Sequence, residues 1–152
     1  MIVYADASAL VKRYVTEPGS SDVIALTSTA VAVATALVSR AEVAAALARA
    51  VRMGVVDDEG GRQAQRRFSR DWPDLARVAV TEALVARAET LAWEHSLRGY
   101  DAVQLAAALT WRESVGQDVV LATFDRQLWE SAPQVGLTPW PKQLPGDGSA
   151  AH

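Results

Sequence analysis

The sequence predicts a three-layer α/β/α domain on a central, mainly parallel sheet of four or five strands. Short apolar runs at 2–5, 31–38, 78–80 and 119–122 alternate with longer segments of helical periodicity, the pattern of repeated βα units. None of these runs has a regular polar face, so both sides of the sheet are expected to be covered by helices. A length of 152 residues, 50% hydrophobic and 22% charged, suits one domain with one well-buried core.

Residues 2–5 read as a buried strand ending at Asp6. Ser8 is placed to cap a helix over 9–15, and Glu17-Pro18-Gly19-Ser20 ends it as a turn. A short helix over 21–28 precedes the second strand run. Ser39 opens a long helix to about Met53, with Val43, Leu47 and Val51 on one face and Gly54 as its stop. Residues 57–71 form a polar, surface-facing helix that ends before Pro73. After a third strand at 78–80, Thr81 caps a helix to His95, Gly99 breaks it, and a new helix begins near Asp101. A fourth strand at 119–122 is followed by a helix opened by Asp125 and running through Trp129. Residues 136–138 suggest a fifth strand stopped by Pro139. The domain spans 1–143, and 144–152, rich in Gly, Ser and Ala, reads as a flexible tail.

Several function classes fall away on composition. The absence of cysteine removes disulfides, zinc-thiolate sites and cysteine nucleophiles together. No apolar run reaches the roughly 20 residues needed to cross a bilayer, and no basic-then-apolar leader opens the chain. A cytoplasmic protein with no membrane partner is expected. The net charge of −3 carries no basic footprint, yet carboxylates that bind cations would add acids to the count. Charge alone therefore excludes no nucleic-acid partner.

Four acids fall at telling places: Asp6 and Asp125 at the carboxyl ends of the first and fourth strands, Glu42 and Asp101 in the first turns of helices. In an open parallel sheet, ligands bind outside the carboxyl ends of the strands. Clustered carboxylates raise each other's pKa unless a counter-charge joins them. Without cysteine and with only two histidines, a hard cation, Mg²⁺ or Mn²⁺, is the natural partner. Each acid also has an ordinary reading. Ser39 to Glu42 is spaced as a capping box, Asp125 as an N-cap, and Asp101 as a first-turn acid favoured by the helix dipole. Asp6 resists such a reading, because a lone charge ending an apolar strand must be solvated or paired.

The stretches Tyr4-Ala5-Asp6-Ala7-Ser8-Ala9-Leu10-Val11-Lys12, Ser39-Arg40-Ala41-Glu42-Val43, Arg98-Gly99-Tyr100-Asp101-Ala102-Val103-Gln104-Leu105-Ala106 and Ala122-Thr123-Phe124-Asp125 resemble, in order, the PIN-domain family. More narrowly they resemble the VapC toxins of toxin–antitoxin pairs. That resemblance implies an endoribonuclease for single-stranded RNA, using Mg²⁺ or Mn²⁺. It implies a homodimer and a cognate VapB-type antitoxin that blocks the site with a C-terminal segment. Asp6, Glu42 and Asp101 match the acids nearest the metal, Asp125 the more variable fourth, and Ser8 and Thr123 the hydroxyl positions lining the site. The only other nearby acid, Asp118, sits at the wrong end of its strand.

Arg98 and Lys12 are candidate phosphate contacts, although Arg98 could equally pair with Asp101. Trp93 and Trp111 lie on apolar helices and suggest core or dimer interface, while the basic run 62–70 reads as a solvated face. A receiver domain would want two acids at the first strand's end, and a dehalogenase-type phosphatase would want an acid where Ser8 stands. The remaining alternative is a non-catalytic PIN-fold binding module.

Overall fold

The computed structural model describes residues 1–148, and its five strands form one wholly parallel sheet in the order β3-β2-β1-β4-β5. The central strand β1 (Ile2–Ala5) pairs with β2 (Ala32–Ala36) through Val3 and Val33, and with β4 (Val119–Ala122) through Val3 and Val120. The edges are β3 (Ala76–Val78) and β5 (Thr138–Trp140). The chain builds outward from β1 to β3, then crosses to the opposite side for β4 and β5. That reversal makes a topological switch point at the carboxyl end of β1, where open α/β sheets bind ligands.

Side-chain alternation along β1 divides the core. Tyr4 enters a cluster with Leu84, Leu91, Leu105, Leu109, Leu121 and Leu128, contributed mainly by α5 (Glu82–His95), α6 (Gly99–Val115) and α7 (Arg126–Ser131). Val3 and Ala5 enter the other, beneath α1 (Ala7–Leu10), α2 (Ser20–Thr29), α3 (Ser39–Arg52) and α4 (Asp58–Asp71). There Tyr14, Phe68 and Trp72 stack edge-on, with ring centroids 5.3 and 5.5 Å apart. The α4 helix is therefore polar on one face only, since Ala64 and Phe68 on the other are buried. No helix among the described residues is long and apolar enough to cross a membrane.

Several expected boundaries move. The cap of α1 is Asp6, not Ser8, and the helix gives way after four residues to a 3₁₀ turn at Val11–Arg13. The third strand is two residues earlier than expected, because Val78 is the residue paired with Ala36 while Val80 is exposed. The break before α6 falls at Ser96, which takes a left-handed conformation (φ 53°) and tucks Leu97 inward; Gly99 is the first residue of the next helix. The fifth strand contains Pro139 instead of stopping at it, as an edge strand permits. Trp93 is 89% exposed and belongs to no core. Within the segment expected to form a tail, Leu144 is buried and Asp147 pairs with Arg126 at 2.6 Å; residues 149–152 lie outside those described.

Candidate active site

Asp6 follows directly on β1, and its backbone N–H extends the ladder to the Ala122 carbonyl at 3.1 Å. Its side chain turns back as the cap of α1: Oδ1 accepts from the Ala9 N–H (3.0 Å) and the Ser8 hydroxyl (2.6 Å). Oδ2 accepts from the Thr123 hydroxyl at 2.6 Å. The same two hydroxyls accept from the chain after β4, Ser8 from the Phe124 N–H and Thr123 from the Asp125 N–H. Ser8 and Thr123 thus tie the ends of the two central strands together around one carboxylate. Burial raises the Asp6 carboxyl from 3.8 to about 6, against the lowering pull of the Ser8 and Thr123 hydrogen bonds and the Ala9 N–H; the charge of Glu42 adds to the rise.

Glu42 lies in the first turn of α3, but the spacing that suggested a capping box has another use. Val38 occupies the cap position, with no side-chain cap. The Ser39 hydroxyl is buried instead, 2.7 Å from that of Thr35, and accepts from the Gln104 amide at 2.9 Å. Glu42 is left free of the helix end, and its Oε1 accepts from the same Gln104 amide at 2.9 Å. Its carboxyl is raised by burial first and by Asp101 as well, with the Gln104 hydrogen bond opposing. Gln104 went unassigned on sequence; its one signal was an amide in a helix otherwise apolar toward the core.

Asp101 stands in the first turn of α6, and Asp125 caps α7 by accepting from the Leu128 N–H at 3.0 Å. Arg98 bridges the pair, its Nε 2.9 Å from Asp101 and its guanidinium NH2 2.7 Å from Asp125. Asp101 is raised by burial and then by the charge of Asp125, while Arg98 counters both. Asp118 lies before β4 in a surface hollow with Met1, Val31 and Gly116, at the opposite edge of the sheet. Lys12, expected as a phosphate contact, turns toward its own neighbours. It is 11% exposed, bonds Glu17 at 3.0 Å and lies 4.3 Å from the centre of the Phe124 ring. His95 meets Gln134 and no member of the acid group.

Repulsion links Asp6 to Glu42, Glu42 to Asp101 and Asp101 to Asp125, so the four acids form one electrostatically connected row. The donors are all oxygen, and burial raises the carboxyls of Asp6, Glu42 and Asp101, which fits a hard divalent cation in charge and ligand type. The side chains do not stand as a closed cage. Among the described residues no three acids or histidines are close enough together to hold a metal, and Arg98 supplies the counter-charge at one end of the row.

Two proteins of Mycobacterium tuberculosis, Ribonuclease VapC45 and Ribonuclease VapC49, are each 38% identical to the chain over 144 residues, covering 94% of it and 97% of their own length. Among solved structures, a toxin–antitoxin complex from Klebsiella pneumoniae superposes with a TM-score of 0.63 at 16% identity, covering 88% of this chain and 93% of that one. VapBC2 of Rickettsia felis, bound to a DNA fragment from its promoter, gives 0.63 at 13% identity, with 92% and 99% covered. These two share the fold. A sequence model of the PIN domain matches residues 3–132, a span that holds all four acids but stops short of β5, and the chain belongs to the PIN-domain family.

Proposed function

We propose that the chain is an endoribonuclease of the VapC type, the toxin of a toxin–antitoxin pair. It hydrolyses phosphodiester bonds of single-stranded RNA with Mg²⁺ or Mn²⁺ held by Asp6, Glu42, Asp101 and Asp125. The observation that carries this reading is the row of four acids, drawn from four separate segments to the switch point of the sheet. The two mycobacterial relatives, matched over nearly their whole length, are ribonucleases by name. The four acids would hold the divalent cation, which would supply activation of water and compensation of charge for in-line attack on a phosphodiester.

The chain's own groups have distinct tasks in this reading. Ser8 and Thr123 hold both oxygens of Asp6, fixing the orientation of the most buried acid. Arg98 lies 73% exposed at the rim and pairs with both Asp101 and Asp125. The planar guanidinium would also suit a substrate phosphate, which it could meet through two donors. The partner is a VapB-type antitoxin, the assembly a homodimer and the setting the cytoplasm.

Cleavage of single-stranded RNA in saturating Mn²⁺ tests the assignment. Asp6→Asn and Asp101→Asn are each expected to lose cleavage by a factor of 100 or more, roughly the effect of deleting a key electrostatic group, with the fold intact by circular dichroism. Full activity in either variant overturns it. The looseness of the acid row favours one competing reading, a binding module without catalysis. Under that reading millimolar Mn²⁺ leaves the melting temperature unchanged and RNA is not cut.

A further inference from the structure

Among the described residues Gln104 is the only buried side-chain amide, 1% exposed in a helix face of alanine and leucine. An amide in such a place is costly unless its hydrogen bonds are made. Here they are made in one defined sense. Oε1 accepts from the Tyr4 hydroxyl at 2.5 Å, and Nε2 donates to both the Ser39 hydroxyl and Glu42 Oε1 at 2.9 Å. The Tyr4 hydroxyl and the Glu42 carboxylate together fix which end of the amide points where. Ser39 is tied in turn to Thr35, whose hydroxyl lies 2.7 Å from the Ala5 carbonyl beside Asp6. Asp101 lies three residues before Gln104, on the same face of α6. One amide therefore connects the helix bearing Asp101, the helix bearing Glu42 and the strand that ends at Asp6.

We propose that Gln104 is a positioning residue of the acid site, holding Glu42 Oε1 through a neutral donor while Oε2 carries no hydrogen bond among the described residues. The neutrality matters. A lysine or arginine would hold the carboxylate equally well but cancel the charge that a cation needs, as Arg98 does for its two acids. An amide orients the ligand and leaves its charge in place, the usual task of a group standing behind a metal ligand. This inference rests on the metal-dependent reading above and deepens it.

The test is Mn²⁺ binding to the full chain by calorimetry, with folding checked by thermal melting. Gln104→Met keeps the size of the side chain and loses its donor; it is expected to weaken binding roughly 10–100-fold. Gln104→Glu keeps an acceptor for Tyr4 but sets a like charge against Glu42, so it is expected to weaken binding at least as much and serves if the first variant fails to fold. In a Glu42→Ala background the Gln104 substitutions are expected to change affinity by no more than about twofold, because they act through Glu42. Wild-type affinity in a folded Gln104 variant overturns the proposal, and so does an equal further loss in both backgrounds. A metal-free measurement separates this from the nuclease reading. The Gln104 side-chain amide resonance is expected to shift on Glu42→Ala; an unmoved resonance overturns the positioning role even if the wild type binds no Mn²⁺.

Discussion

Asp6 concentrates the conflict between stability and function in one side chain. Its carboxyl is raised from 3.8 to about 6 mainly by burial, so the native state disfavours the anion. Between those pH values the native protein holds more protons than the unfolded chain, and stability falls as pH rises through that window. The penalty is fully present above pH of about 6, where a shift of this size corresponds to about 3 kcal/mol. Asp6→Asn is therefore expected to melt at a higher temperature than wild type near pH 7.5, and the gain is expected to vanish below about pH 4. Calorimetric scans at both pH values check this, and a variant no more stable than wild type near pH 7.5 counts against the buried anion. The proton has a second effect, because it competes with any cation: apparent Mn²⁺ affinity is expected to fall as pH drops below about 6. Asp6 was legible in the sequence because a lone acid ending an apolar run has few alternatives. Glu42 was legible only in part, since its spacing from Ser39 matches a helix cap that the fold does not use. The inward turn of Lys12 was not legible, because nothing local announces that Glu17 and Phe124 enclose it.

Among the elements, the turn leading into α2 does more than connect. Gly19 takes φ of +91° at the head of the helix, and a Cβ there would stand 2.8 Å from the Phe124 ring. The turn thus packs against the residue between Thr123 and Asp125. Gly19→Ala is expected to cost about 1–2 kcal/mol, combining left-handed strain with the displaced ring. Urea unfolding checks it, and a change below a few tenths of a kcal/mol would show that Phe124 yields freely. The long helices and the strands at 2–5 and 119–122 could be read from periodicity and caps because each carries its own pattern. The edge strands could not. Three residues are too few to hold a pattern, and their limits are set by pairing: Ala36 selects Val78, and Ala122 selects Trp140.

At the scale of the molecule, the alternation of strands and helices predicts the layers, while the crossover from β3 to β4 that assembles the site is fixed only by the packed sheet. A cation bound at the switch point, as proposed, would hold together segments from both halves of the chain. Mn²⁺ at 100 times its dissociation constant is accordingly expected to stabilise the protein by about 2.7 kcal/mol, read as a rise in melting temperature. No rise would remove the metal from the reading. The same strand order has a consequence for synthesis. The central strand is made before every other strand of the sheet, and the neighbour that completes its pairing, with the last acid just behind it, emerges more than a hundred residues later. A nascent chain of this design carries no finished site while β4 is still unmade, and a product truncated before Ala122 never acquires one.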